Sequence, residues 1–336
     1  MSGKSGRLAD LNEGSYLDKL EAIYQNRLDM MNSVEPTVEM VLEAHQQIMS
    51  EAVKLVLEKV ESESGSPPTH FAFFLLGSGG RGEQLYWSDQ DHGIVYAGGR
   101  NDEHEQYFLG LGQEIVTALE KVGYQMCDGK VMSSYKRWCK SSDDWQAQLL
   151  HWMQDDKWEN IRHTLTLCDA TTFIGEEVLL QDLKEVIFRE MDHNPNLVQR
   201  FIDNTGRVKK GIGFFGQFLV ETKGKNQGKL DLKQIASFPY VNGLRLLALK
   251  EEIQAASTLE RFQKLSPFYK EVKEFEADFY QLLNHQLKWQ KGIKSYSSIH
   301  YLNLEHLSYK EKKDLKKWIR RGHKIYGKIR TLLEEG

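Results

Sequence analysis

The sequence predicts an α+β chain: a small mixed sheet preceded by helices and followed by an all-α helical domain. Three observations carry this expectation. Residues 71–76 (FAFFLL) form an apolar run with the length and composition of a strand buried on both faces. A glycine-rich turn follows, and after it a second apolar stretch, 93–96 (GIVY). On either side, apolar residues recur at helical spacing over long segments. The expected division is a helical segment over 1–65, a sheet-containing core over 66–190 and a helical domain over 191–336.

The bulk numbers narrow the class. A length of 336 residues suits about two domains. Hydrophobic content of 40% and charge of 27% are ordinary for a soluble protein. A net charge of −4 argues against a chain that coats nucleic acid through its overall field. The first twenty residues lack an apolar core, so no secretory signal is expected, and no window approaches 18 uninterrupted apolar residues. A cytoplasmic location without membrane contact is expected. Cys127, Cys139 and Cys168 are odd in number and show no C-x-x-C spacing, which favours reduced thiols over disulfides or zinc.

The elements follow in order. Residues 1–15 are polar and expected to be loose. From 16 to 63 the pattern is helical, with Pro36-Thr37 as a start signal and Val38, Val41, Ile48, Val53, Val56 and Val60 on one face. Serine, glycine and proline over 62–68 end it. After the two apolar strands, Phe108, Leu111, Ile115, Ala118 and Val122 predict a helix over 103–122, stopped by Gly123. Residues 124–132 are expected to hold a third strand with a turn inside it, and 141–190 to be helical. The break at 192–196 (DHNPN) marks the expected domain boundary. Beyond it helical periodicity dominates, with breaks at 222–228, 237–239 and 295–298. Residues 310–330 carry ten Lys/Arg against Glu311 and Asp314, with Trp318, Ile319, Ile325, Tyr326 and Ile329 interleaved. This segment predicts an amphipathic helix with a solvated basic face, or else a surface for an anionic partner such as RNA.

The chemistry concentrates in 77–91. Gly77-Ser78-Gly79-Gly80-Arg81-Gly82 can turn tightly and present successive N–H groups to an anion. Asp89 and Asp91, two apart at the head of a strand, share a face at about 6.5–7 Å. Two carboxylates opposite a phosphate-sized nest describe a site for a divalent metal and a nucleotide. A dinucleotide-binding reading of Gly77-x-Gly79-x-x-Gly82 needs a helix of a dozen residues before the next strand, and the space is lacking. A Walker A loop is excluded because no Gly-Lys-Ser/Thr follows. A purely structural reading, with the glycines as a loop and the aspartates as helix caps, stands beside the functional one.

Gly77-Ser78, eleven positions from Ser78 to Asp89, and Asp-x-Asp leading a strand resemble the polymerase-β-type nucleotidyltransferases. Gly77 to Gln84 (GSGGRGEQ) with Ser88-Asp89-Gln90-Asp91 is similar to the branch containing protein-PII uridylyltransferase. Residues 123–132 (GYQMCDGKVM), 213–216 (GFFG), 230–233 (LDLK), 245–249 (RLLAL) and 258–262 (TLERF) resemble related nucleotidyltransferases whose C-terminal domain is described as substrate-binding. The likeness spans roughly residues 40–330.

The resemblance implies a polymerase-β-type core and transfer of a nucleoside monophosphate from an NTP to a hydroxyl, on a protein tyrosine or a small molecule. It implies Mg²⁺ or Mn²⁺ held by Asp89 and Asp91, which would be catalytic, and triphosphate contacts from Gly77 and Ser78. Arg81 is expected to neutralise phosphate or to pair with Glu83 or Asp91. Ser88 is expected near the nucleotide, more as a turn residue ordering Asp-x-Asp than as a reactant. A third metal carboxylate is unplaced, with Asp128 and Asp169 as candidates. His92 adjoins the site, in a supporting role or at the surface. Asp231, Lys233, Arg245, Glu260 and Arg261 are expected to join the domains or touch substrate. The rival expectations are a catalytically silent nucleotide-binding regulator of the same fold and a nucleotidyltransferase that binds RNA through the basic C-terminal helix.

Overall fold

The computed structural model describes residues 13–32, 37–155, 157–293 and 296–335. The expected start signal at Pro36, the polar stretch up to Asn12 and Ser295 of the last expected break lie outside the described residues.

The helical stretch expected over 16–63 is two helices, α1 (Glu13–Met31) and α2 (Val38–Ser64), packed on each other. The Thr37 side chain caps α2 by accepting the Met40 N–H at 3.3 Å. The core then runs β1 (Phe71–Leu75), a single helical turn α3 (Gly77–Gly80), β2 (Asp89–Gln90), β3 (His92–Tyr96) and α4 (Asp102–Lys121). It continues through β4 (Gln125–Met126), β5 (Cys139–Ser141), α5 (Ser142–Gln154), α6 (Trp158–Leu167), β6 (Thr171–Gly175) and α7 (Glu177–His193).

The main sheet has the order β5-β3-β1-β6, with β1 antiparallel to both neighbours and β3 parallel to β5. The apolar run is its central strand, and its alternation feeds two layers. Phe73 and Leu75 join α2 and α4 on one face, whereas Ala72 and Phe74 join Trp138, Trp145 and the helices α5–α7 on the other. A strand covered on both sides has no polar face, which is why the sequence shows none.

Two strand assignments need correction. Residues 124–132 supply only the two-residue β4; the edge beside β3 is β5, further along. Within the stretch expected to be helical, Thr171–Gly175 is a strand on β1. Five residues between two helices carry too little periodicity to announce themselves, and the strand's hydrogen-bonding partner lies far upstream.

The second half is helical: α8 (Asn196–Thr205), β7 (Leu230–Asp231), α9 (Phe238–Lys250), α10 (Thr258–Lys264), α11 (Lys270–Lys273), α12 (Glu276–Gln290), β8 (Tyr301–Leu302) and α13 (Tyr309–Glu335). The chain is thus α+β with a C-terminal helical domain. The break at 192–196 separates α7 from α8, yet Leu197, Phe201 and Ile202 of α8 pack back among α5–α7. Residues 237–239 do not break the chain: a π-turn over Lys233–Ser237 runs into α9, whose first turn accommodates Pro239. In α13 the interleaved apolar residues Trp318, Ile319, Ile325, Tyr326 and Ile329 are buried, and Lys317 and Arg321 pair with Asp278. The helix is amphipathic, with Trp318 and Tyr326 in the core. No helix among the described residues is long and apolar enough to cross a membrane.

His45 of α2 is fully buried and bridges the Leu85 carbonyl (2.5 Å) and the Tyr124 hydroxyl (2.8 Å). It fixes the segment 81–88 that leads from the glycine turn to the aspartates. Burial pushes its imidazole down to about 4.

Candidate active site

The site is built where β1 ends. The Leu76 N–H donates to the Asp91 carbonyl at 2.8 Å, so the ladder between β1 and β3 runs on to the aspartate. The chain then turns through α3, where Gly77 has φ +54°. Any Cβ at Gly77 would strike the Asp91 carboxylate, so glycine here permits contact between turn and acid as well as the backbone conformation. The turn closes by Gly80 N–H to the Leu76 carbonyl (2.8 Å) and Glu83 N–H to the Ser78 carbonyl (2.9 Å).

Asp89 lies in β2, which pairs in parallel with β4 in the register Asp89–Gln125 and Gln90–Met126. Continuing that register by one residue brings Asp91 beside Cys127. Ligand atoms of Asp89, Asp91 and Cys127 all lie within 4.8 Å of one another. The residue between the aspartates faces the other way: buried Gln90 donates to the Val116 and Tyr124 carbonyls, both at 3.2 Å. Burial first, and then the neighbouring Asp89 charge, raises the Asp91 carboxyl to about 6. Burial and the hydrogen-bonded Asp91 push the Cys127 thiol up to about 12.

The other expected site residues fall differently. Ser88 is buried and committed within the protein, accepting from Gln84 Nε2 and donating to the Asp89 carbonyl, both at 2.9 Å. It orders the turn before Asp89 while lining the cleft described below. Arg81 lines the same cleft and pairs inside the protein, its Nε donating to Glu83 and its guanidinium to Asp169, each at 2.7 Å. Asp169 is not placed as a third metal carboxylate. Its two oxygens are occupied by Arg81, Arg245 and Arg261. Burial alone would raise the Asp169 carboxyl, but Arg245, Arg81 and Arg261 outweigh it and hold the group well below the carboxylate range. Asp128 is exposed in the turn closed by Lys130 N–H to the Cys127 carbonyl (2.9 Å) and stands outside the cluster. The third ligand-type atom of the cluster is the Cys127 sulfur, one residue earlier. His92 is buried, not at the surface, with its ring between Gln90 Oε1 (3.1 Å) and the Ser133 N–H (3.2 Å).

Arg245 and Arg261 come from the helical domain, so the Asp169 knot joins the two halves. Thr258 adds a hydrogen bond to Glu83. Between the halves lies a cleft with Ser78, Ser88 and Asp89 on one wall and Lys233, Gln290, Tyr296 and His300 on the other. The wall from the helical domain includes a strap between α12 and β8, anchored by Trp87 Nε1–H to the Ile293 carbonyl (2.7 Å). Tyr296 lines the cleft together with Asp89; burial, then the Asp89 charge, keeps the phenol well above its ordinary range. Gln290 Oε1 and His300 Nε2, both buried, have no hydrogen-bond partner among the described residues. Cys127 and Tyr296 were not read from the sequence. Cys127 adjoins the candidate Asp128, but only the β2–β4 register singles it out.

A glycine turn against an Asp-x-Asp pair, on a small mixed sheet facing a helical domain, is the arrangement expected from the sequence resemblance to nucleotidyltransferases. Residues 18–159 match the family described as "Putative nucleotidyltransferase DUF294". Residues 195–332 match its companion, "Putative nucleotidyltransferase substrate binding domain". Together the two matches cover most of the chain, which belongs to this family. No curated protein matches the sequence.

Proposed function

We propose that the chain is a cytoplasmic, divalent-metal-dependent nucleotidyltransferase. It moves a nucleoside monophosphate from an NTP to a hydroxyl on a protein or small molecule and releases pyrophosphate. The observation that carries this reading is the packing of Asp89, Asp91 and Cys127 within 4.8 Å of one another, hard against Gly77. Among the described residues no lysine or arginine forms an ion pair with either aspartate, and burial, then the Asp89 charge, raises the Asp91 carboxyl. The two carboxylates of the cluster suit a hard cation, since Mg²⁺ and Mn²⁺ take carboxylate oxygens. Asp89 and Asp91 would hold that cation, which when bound would offset charge on the triphosphate.

The remaining work falls to the chain itself. The N–H groups at the start of the glycine turn and the Ser78 hydroxyl bind phosphate oxygens. Ser88 and Gln84 hold the Asp89 backbone, and the Arg81–Asp169 knot fixes the turn against the helical domain. Gln290 and His300, with unpartnered polar atoms in the cleft, are placed to recognise a base or an acceptor. The likeness to protein-PII uridylyltransferase supports a tyrosine as one acceptor class. The test is incubation of the protein with each α-labelled NTP, Mg²⁺ or Mn²⁺, and native cell extract. One NTP should label a product with release of pyrophosphate, and Asp89→Asn with Asp91→Asn should abolish both. Label transfer that survives the double substitution would sink the assignment.

A further inference from the structure

One hydroxyl of the nucleophilic type that this chemistry consumes is already in the cleft. Tyr296 sits in a single 3-10 turn of the strap (Tyr296–Ser298) and lines the cleft with Asp89. The phenol therefore shares that space with one member of the acidic pair. Ser78 and Ser88 line the cleft that Tyr296 lines, which puts the expected triphosphate wall opposite the phenol. The strap is pinned from both halves: Trp87 holds Ile293, and the Leu232 N–H holds the His300 carbonyl at 2.8 Å. A side chain merely filling space could be apolar; this one brings a hydroxyl into a cleft lined by an acid.

We propose that Tyr296 is itself a nucleotide acceptor, so that the protein nucleotidylates its own strap in cis. The inference rests on the function proposed above and names one acceptor for that site. The Tyr296 oxygen attacks the α-phosphorus of the NTP. The new bond joins the Tyr296 oxygen to that phosphorus, the bond from the α-phosphorus to the oxygen bridging to the β-phosphate breaks, and pyrophosphate leaves. The phenol proton is released to solvent as the new bond forms. The product is a tyrosyl phosphodiester, one nucleoside monophosphate per chain, whose nucleotide fills the cleft and blocks a second acceptor.

The experiment incubates the full chain with each α-labelled NTP and Mg²⁺ or Mn²⁺, without extract, followed by tryptic mass spectrometry. Residues 295–310 form one tryptic peptide that also holds Tyr301 and Tyr309, so fragment ions must place the added mass. The expected result is one added nucleoside monophosphate on Tyr296. The labelled fraction should grow at a rate independent of protein concentration over a tenfold range, as a reaction in cis requires. Tyr296→Phe should lose the label while its NTP-induced thermal shift stays with wild type. An Asp89→Asn, Asp91→Asn chain mixed with wild type should stay unlabelled. Label only at other residues, undiminished label in Tyr296→Phe, or label on the double variant in the mixture would each overturn the proposal. If self-labelling fails while extract components are labelled in an Asp89- and Asp91-dependent way, the cis acceptor falls and the proposed function stands. If neither occurs and no NTP shifts the melting temperature, both fall.

Discussion

Two acidic clusters flank the glycine turn, and they are balanced in opposite ways. At Asp169 one buried carboxylate meets three guanidinium groups, from Arg81, Arg245 and Arg261, and Glu83 shares Arg81. At Asp89 and Asp91 two carboxylates meet a thiol, with a phenol in the cleft beside them and no cation of the protein paired to them among the described residues. The first cluster settles its own charge and joins two halves of the molecule. The second leaves negative charge for something from outside to settle. Like residues a few ångströms from one loop thus differ in purpose according to what surrounds them.

The sharpest way to break the contrast is to neutralise each cluster in turn. With Asp89→Asn and Asp91→Asn, nucleotidyl transfer should fall by about a thousandfold or more, since metal-assisted charge stabilisation is worth several kcal/mol. Urea unfolding without metal should show stability unchanged or raised, because a repulsion is removed. Asp169→Asn should do the reverse. Stranding buried arginines should cost about 3–5 kcal/mol in the same unfolding measurement. Equal stability losses in the two variants would erase the distinction.

His45 holds the segment between the clusters and provides a pH test. Burial holds its native imidazole near 4, against an ordinary value of 6.5. Between those values the unfolded chain binds a proton that the native chain refuses, so stability is full above 6.5 and declines as pH falls. Lowering pH from 7 to 5 should remove about 2 kcal/mol through this group. His45→Gln should flatten the urea-midpoint profile by that amount; an unchanged slope would mean that His45 is not held neutral.

What the sequence made legible was what neighbouring residues encode together. The central strand, the glycine turn and Asp89-x-Asp91 all lie within residues 71–96, where period and spacing can be read directly. What it hid depends on distant segments meeting. Asp169 in a helical context looked like a spare carboxylate until Arg81, Arg245 and Arg261 converged on it. Cys127 enters the cluster through the β2–β4 register, which no local pattern specifies. Tyr296 joins Asp89 in the cleft on a strap held by Trp87 across a separation of 206 residues. The strand Thr171–Gly175 was lost for the same reason, since its ladder partner is β1.

The smallest contrast lies inside the turn. Gly77 and Gly82 both have positive φ, +54° and +62°, so alanine at either should cost about 1 kcal/mol of backbone strain. They differ in their surroundings. A Cβ at Gly82 meets nothing within 4 Å, whereas one at Gly77 meets the Asp91 carboxylate. Gly82→Ala should therefore lower the urea midpoint slightly and leave metal affinity as it was. Gly77→Ala should lower the midpoint further and also weaken Mn²⁺ binding by about tenfold, the scale expected when a group supporting a metal ligand is disturbed. Calorimetric Mn²⁺ titration of both variants checks this. If the two bind Mn²⁺ alike, Gly77 serves only to turn the chain, and the contact between turn and acid is incidental to the site.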